Sequence, residues 1–129
     1  MNWTMQSLNG PGTIRIDASG KATSAECQRM VDEVLLYPEW HAGGNLLIDC
    51  RKVNVRDMTY DEADRSAMIL KSRIGEFGNC KMALIATPGL GFGIGQQFKR
   101  LTESKADISI EVFLNESAAS RWLGIQTDA

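Results

Sequence analysis

NLLIDC, residues 45–50, is an unbroken Leu-Leu-Ile run with Gly43-Gly44 before it and Arg51 after it. A strand with one wet face alternates apolar and polar residues, whereas a continuous apolar run reads as a strand covered on both faces. KMALIAT (81–87) repeats the pattern. With helical sequence between them, two such strands need a right-handed crossover, which makes them parallel neighbours in an α/β sheet.

Outward from 45–50, the pattern changes to helical period on both sides. Thr59 with Glu62 forms a capping box, and Ala63, Ala67, Leu70 and Ile74 mark one face of a helix ending near Gly75. Upstream, Thr23 with Glu26 opens a second helix over 24–37, whose Cys27, Met30, Val31, Val34 and Leu35 repeat at helical spacing until Pro38. After KMALIAT, Pro88 and a run of glycines lead into GQQFKRLTES, a helix expected to begin near Gly93 with Ile94, Phe98 and Leu101 on one side. ISIEVF (108–113) alternates as a strand, and NESAASRWLG supplies a short last helix that stops at Gly124. At the other end, WTMQSL (3–8) and TIRIDA (13–18) flank NGPG and read as a hairpin. The order β-β-α-β-α-β-α-β-α predicts one domain over 1–129, a mixed and mainly parallel five-stranded sheet with four helices.

Composition excludes several functions. The 129 residues are 43% hydrophobic, enough for one core. Fourteen basic and 16 acidic residues give a net charge of -2 with no run of either sign, so neither nucleic acid nor an anionic membrane surface is an expected partner. No stretch approaches the roughly 20 apolar residues of a membrane span, and the expected location is cytoplasmic. The three cysteines, Cys27, Cys50 and Cys80, match neither a disulfide framework nor a zinc site. Neither a metal nor a cofactor is expected.

Candidate ligand residues come from the rim at the carboxyl ends of the strands, where ligands of open parallel sheets sit. In ATPGLGFGIGQQFKR (86–100), Gly89, Gly91, Gly93 and Gly95 alternate, but Ile94 and Gln96 break the G-x-G-x-x-G spacing, and no Gly-Lys pair supplies a P-loop. Two readings stay open: free amides at a helix N-terminus that favour a carboxylate, or glycines that turn the chain and let a helix approach the sheet. Phe92 is either a core plug or a platform for a ligand. Asp49 and Arg51, two apart and on one face of their strand, form an ion pair or aim the guanidinium at the rim. His41, the single histidine, falls at the opposite rim, and no nucleophile and base stand together, so no catalytic residue is assigned. An uncovered edge strand bearing Trp3, Met5 and Leu8 suggests a homodimer.

The segments DASGKATSAE, YPEWHAGGNLLIDCRKV, KMALIATPGLGFGIGQQF and IEVFLNESAASRWLG, in that order, resemble the SpoIIAA-like (STAS/SEC14-related) family of small bacterial proteins. The resemblance implies the mixed five-stranded sheet with four helices and a non-enzymatic regulatory module acting through protein contacts. Its SEC14 side implies the alternative of a small apolar or lipid-like carboxylate bound at the rim around 89–95. Relatives that antagonise anti-sigma factors carry a D-S-S-G box with a phosphorylated serine; Asp57-Met58-Thr59-Tyr60 stands there, so the resemblance makes Thr59 a candidate phospho-acceptor, while Met58 and Tyr60 replace the compact Ser and Gly.

Overall fold

The computed structural model describes residues 1–8, 12–56, 58–103 and 107–125. Asp57 of the expected box and Asn9-Gly10-Pro11 of the expected turn lie outside the described residues. Five strands, β1 (Asn2–Ser7), β2 (Thr13–Lys21), β3 (Asn45–Asn54), β4 (Lys81–Ile85) and β5 (Ser109–Phe113), form one sheet in sequential order β1-β2-β3-β4-β5. β1 pairs antiparallel with β2 and the other three pairings are parallel, as the alternation of strand and helix predicts.

The helices are α1 (Ser24–Leu36), α2 (Tyr60–Ser72), α3 (Ile74–Phe77), α4 (Leu90–Glu103) and α5 (Glu116–Leu123). Each parallel strand is added beside the previous one, so right-handed crossovers put α1, α2 and α4 on the same face. Their apolar residues meet Ile14, Ile16, Leu46, Ile48, Met82, Leu84, Ile110 and Val112 in the main core. α5 follows the last strand onto the other face, where Ala119 and Leu123 cover Leu47, Ala83 and Ile85. Leu46, Leu47 and Ile48 are therefore all buried, two toward the helices and one toward α5. The unbroken run at 45–50 is a strand covered on both faces.

Two local expectations need correction. Five helices form where four were expected, because the chain leaves helical geometry at Arg73 (φ -115, ψ 12) and re-enters it for the single turn of α3. That break carries Phe77 into the core, 1% exposed, with its ring centroid 5.5 Å from that of Trp40. The helix that was expected to end near Gly75 ends at Ser72, and it is α3 that Gly78 closes at φ 63.

The second correction concerns α4, which starts at Leu90 rather than near Gly93. Of the four alternating glycines only Gly89 takes a positive φ (83), and Phe92 N donates to Thr87 O at 3.0 Å. On the edge strand β1 and just after it, Trp3 and Met5 pack on the main core and Leu8 on the smaller one, each partly buried. The Arg29 guanidinium lies 5.4 Å from the Trp3 ring centroid, and Trp3 Nε1 donates to the Glu33 carboxylate. The apolar side chains behind the homodimer expectation are half-buried, and β1 remains an edge of the sheet.

Candidate functional site

Three helices over a twisted sheet pack tightly only if large side chains fill the space between the layers. Here small residues face one another across that space: Ala63 and Ser66 on α2 and Gly91 and Gly95 on α4 lie over Ala18 of β2 and Ala86, which follows β4. The result is a cavity of about 190 Å³ between sheet and helices. Its floor includes Ile16, Ile48 and Leu84; its walls include Cys27 and Val31 of α1 and Ile94 and Phe98 of α4. At the carboxyl rim of the sheet it is bordered by Val53, Val55, Met58 and the exposed Thr87. No charged side chain lines it among the described residues.

The glycines divide by position. A Cβ on Gly91 would sit 2.7 Å from Thr87 Oγ1, and one on Gly95 would sit 3.1 and 3.2 Å from the Val112 methyls. These two glycines bring α4 down onto the sheet and form cavity wall, whereas Gly89 makes the turn and Gly93 points into open space. Phe92 is half-buried and packs against the main core. The candidate rim residues are thus not gathered around a loop; most of them are helix.

Asp49 and Arg51 occupy the opposite face of the sheet. Arg51 Nε and Nη2 grip the Asp49 carboxylate at 2.9 and 2.7 Å, and Arg51 N donates to Asp49 Oδ1 at 3.1 Å. Arg15 joins from β2, with Nη2 3.5 Å from Asp49, and also binds Asp17 and Glu116, the latter in the first turn of α5 at 2.5 Å. Hydrogen bonding to Arg51 outweighs partial burial and holds the Asp49 carboxyl below the ordinary carboxylate range. Arg15, through Glu116, pins α5 to the sheet, and the Asp49–Arg51 pair beside it does not aim at the cavity.

Thr59 caps α2 by accepting from Glu62 N at 3.1 Å, and Thr23 caps α1 by accepting from Glu26 N at 3.2 Å. Glu62 turns away from its own cap, and its carboxylate accepts from Ser24 N at 2.7 Å, tying the start of α2 to the start of α1. Thr59 itself is exposed at the rim. His41 is exposed too, beyond the opposite ends of the strands.

The cysteines behave as small hydrophobes. Burial pushes the thiols of Cys50 and Cys80 up to about 12, with the Asp49 charge adding to the shift at Cys50. Cys27 and Cys50 both face the cavity as neutral thiols, and burial likewise raises Cys27.

Sequence reasoning missed Ser66. It falls on the buried face of α2 between Ala63 and Leu70, 5% exposed, and its Oγ has no hydrogen-bond partner. A serine in a core-facing series was the available signal, but which small residues oppose it depends on the topology.

No family model and no curated protein matches the sequence. Among solved structures, the chain is similar to an uncharacterised DUF3478-family protein with a SpoIIAA-like fold from Shewanella loihica PV-4, with a TM-score of 0.60 over 95% of this chain and 92% of that one. The fold is SpoIIAA-like. At 17% identity the likeness to that protein carries the architecture, and the SpoIIAA-like fold leaves function to be argued from the site. No helix among the described residues is long and apolar enough to cross a membrane.

Proposed function

We propose that this protein is a non-enzymatic binding module that holds a small, slender apolar molecule between its helices and its sheet. The observation that supports this reading is the cavity of about 190 Å³ lined by apolar side chains. Cores pack to the density of organic crystals, with few voids larger than a water molecule, and an engineered apolar cavity of about 150 Å³ in another protein binds benzene. The cavity therefore suits a narrow hydrocarbon body rather than a drug-sized ligand, for which pockets of about 300–1,000 Å³ are usual. Its border at the carboxyl rim supplies the way in, and its residues include no nucleophile with a base.

The test is calorimetry with a homologous series of alkyl compounds, alongside native mass spectrometry of protein taken from its host. Each buried methylene contributes about 0.8 kcal/mol, so affinity should rise roughly fourfold per carbon until the cavity is full and then level off. Absence of a retained adduct together with no binding across the series would overturn the reading.

A second reading, a regulatory module that binds a protein, is favoured by Tyr60, Met68 and Leu90, which stand 69%, 68% and 52% exposed on α2 and α4. Thr59, the candidate phospho-acceptor, lies beside Tyr60. Under this reading the partner covers the outer side of those two helices, and a charge introduced there, as in Met68→Glu, not filling of the cavity, would abolish capture.

A further inference from the structure

Ser66 is the feature the apolar cavity does not explain. Helical serines ordinarily donate to the carbonyl four residues back or face solvent. The Ser66 hydroxyl does neither: its Oγ is buried without a partner, in a residue that is 5% exposed and forms part of the cavity wall. A buried hydroxyl without a hydrogen bond destabilises the fold, and alanine at that position would avoid the penalty at almost no change in shape. Ser66 also lies deep, six residues and roughly 9 Å along α2 from its start at the rim.

Around that hydroxyl the surroundings are neutral. The lining residues carry no Lys, Arg or His that could balance an anion, the Met1 α-ammonium already faces the Glu26 carboxylate at 4.0 Å, and the Cys27 thiol, whose Sγ is 3.9 Å from the Ser66 backbone O, is neutral. A carboxylate drawn to that depth would lose its hydration without gaining a counter-charge. A carbonyl or hydroxyl oxygen loses far less and pairs with the serine O–H.

We propose that the occupant of the cavity is an uncharged aliphatic molecule carrying one oxygen, a ketone, aldehyde, ester or alcohol, which Ser66 Oγ engages inside the helix layer. This rests on the apolar-ligand reading and adds to it the class of ligand and the residue that selects it. Ser66 is the specificity-determining residue, and the apolar walls supply the affinity.

Binding of octane, octan-2-one, octan-1-ol and octanoate at neutral pH, measured on the full chain and on Ser66→Ala, tests the proposal. Octan-2-one and octan-1-ol should bind the native protein roughly tenfold tighter than octane. Ser66→Ala, which loses only an unpaired hydroxyl, should fold at least as stably and remove that preference while leaving octane affinity unchanged. Thr87→Val, which removes the exposed hydroxyl at the rim, should keep the preference and so separates the inner hydroxyl from the outer one. Equal binding of octane and octan-2-one, persistence of the preference in Ser66→Ala, or tightest binding by octanoate would each overturn the proposal while leaving the apolar-ligand reading intact. Failure of all four probes to bind would overturn both.

Discussion

The Arg51 guanidinium lowers the Asp49 carboxyl, and the sign of that shift fixes how the pair responds to pH. A carboxylate whose folded-state value lies below its unfolded value stabilises the fold above about pH 4, and the contribution disappears as pH falls through the lowered value. Asp49→Asn should destabilise the protein at pH 7 by no more than about 1 kcal/mol, the usual limit for pairs open to solvent. In urea titrations from pH 7 to pH 2, the gap between native and variant should close in acid. A gap that stayed constant would mean that Asp49 acts through packing or neutral hydrogen bonds and not through its charge. The pair itself was legible, since residues two apart on a strand share a face. Its extension was not: Arg15 and Glu116 are 101 positions apart, and only the packing of α5 against the sheet brings them together. Ser66 escaped notice for the same physical reason, because a serine in a helical apolar series carries no mark of whether water or cavity lies opposite.

At the scale of elements, the capping boxes at Thr23 and Thr59 set the starts of α1 and α2, because a cap is a local contact over three residues. The start of α4 was misread for the opposite reason. Glycine inside a helix is about 1 kcal/mol less favourable than alanine, so four alternating glycines argue for loop until tertiary contact is known. Gly91 and Gly95 are tolerated in the helix because a Cβ at either would collide with Thr87 or Val112. Gly93 has no such excuse: a Cβ there meets nothing within 4 Å, and its φ is not positive. Gly93→Ala should therefore raise stability by about 0.5–1 kcal/mol, read as a higher urea midpoint at unchanged slope. Gly95→Ala should lower the midpoint, since Val112 must move to make room. If Gly93→Ala proved destabilising, the helical assignment of the glycine segment would fail.

Across the whole molecule, strand order decides where a ligand can go. The rule that places ligands outside the carboxyl ends of parallel strands depends on a reversal of strand order that splays helices to opposite faces and opens a crevice. This sheet runs β1 to β5 without reversal, and the three large crossover helices cover one face, so the free space lies under them rather than at the rim. Sequence pattern gave the strands, their direction and the α/β class, but not this displacement of the site, which follows from which helices share a face. Two alanines on α2 make the point testable. Ala63 is 2% exposed and borders the cavity; Ala67, one turn on, is 1% exposed and does not. In a filled core, Ala→Leu forces side chains off their rotamers at about 1–3 kcal/mol, whereas a leucine that enters an existing void gains apolar contact. Ala67→Leu should destabilise within that range, and Ala63→Leu should stay within about 1 kcal/mol of the native protein or exceed it. Ala63→Leu should also abolish alkyl-ligand binding, because its side chain takes the ligand's space, while Ala67→Leu should retain it in whatever fraction remains folded. Equal destabilisation by both would mean that the layers close up in solution and that no cavity persists between α2 and the sheet.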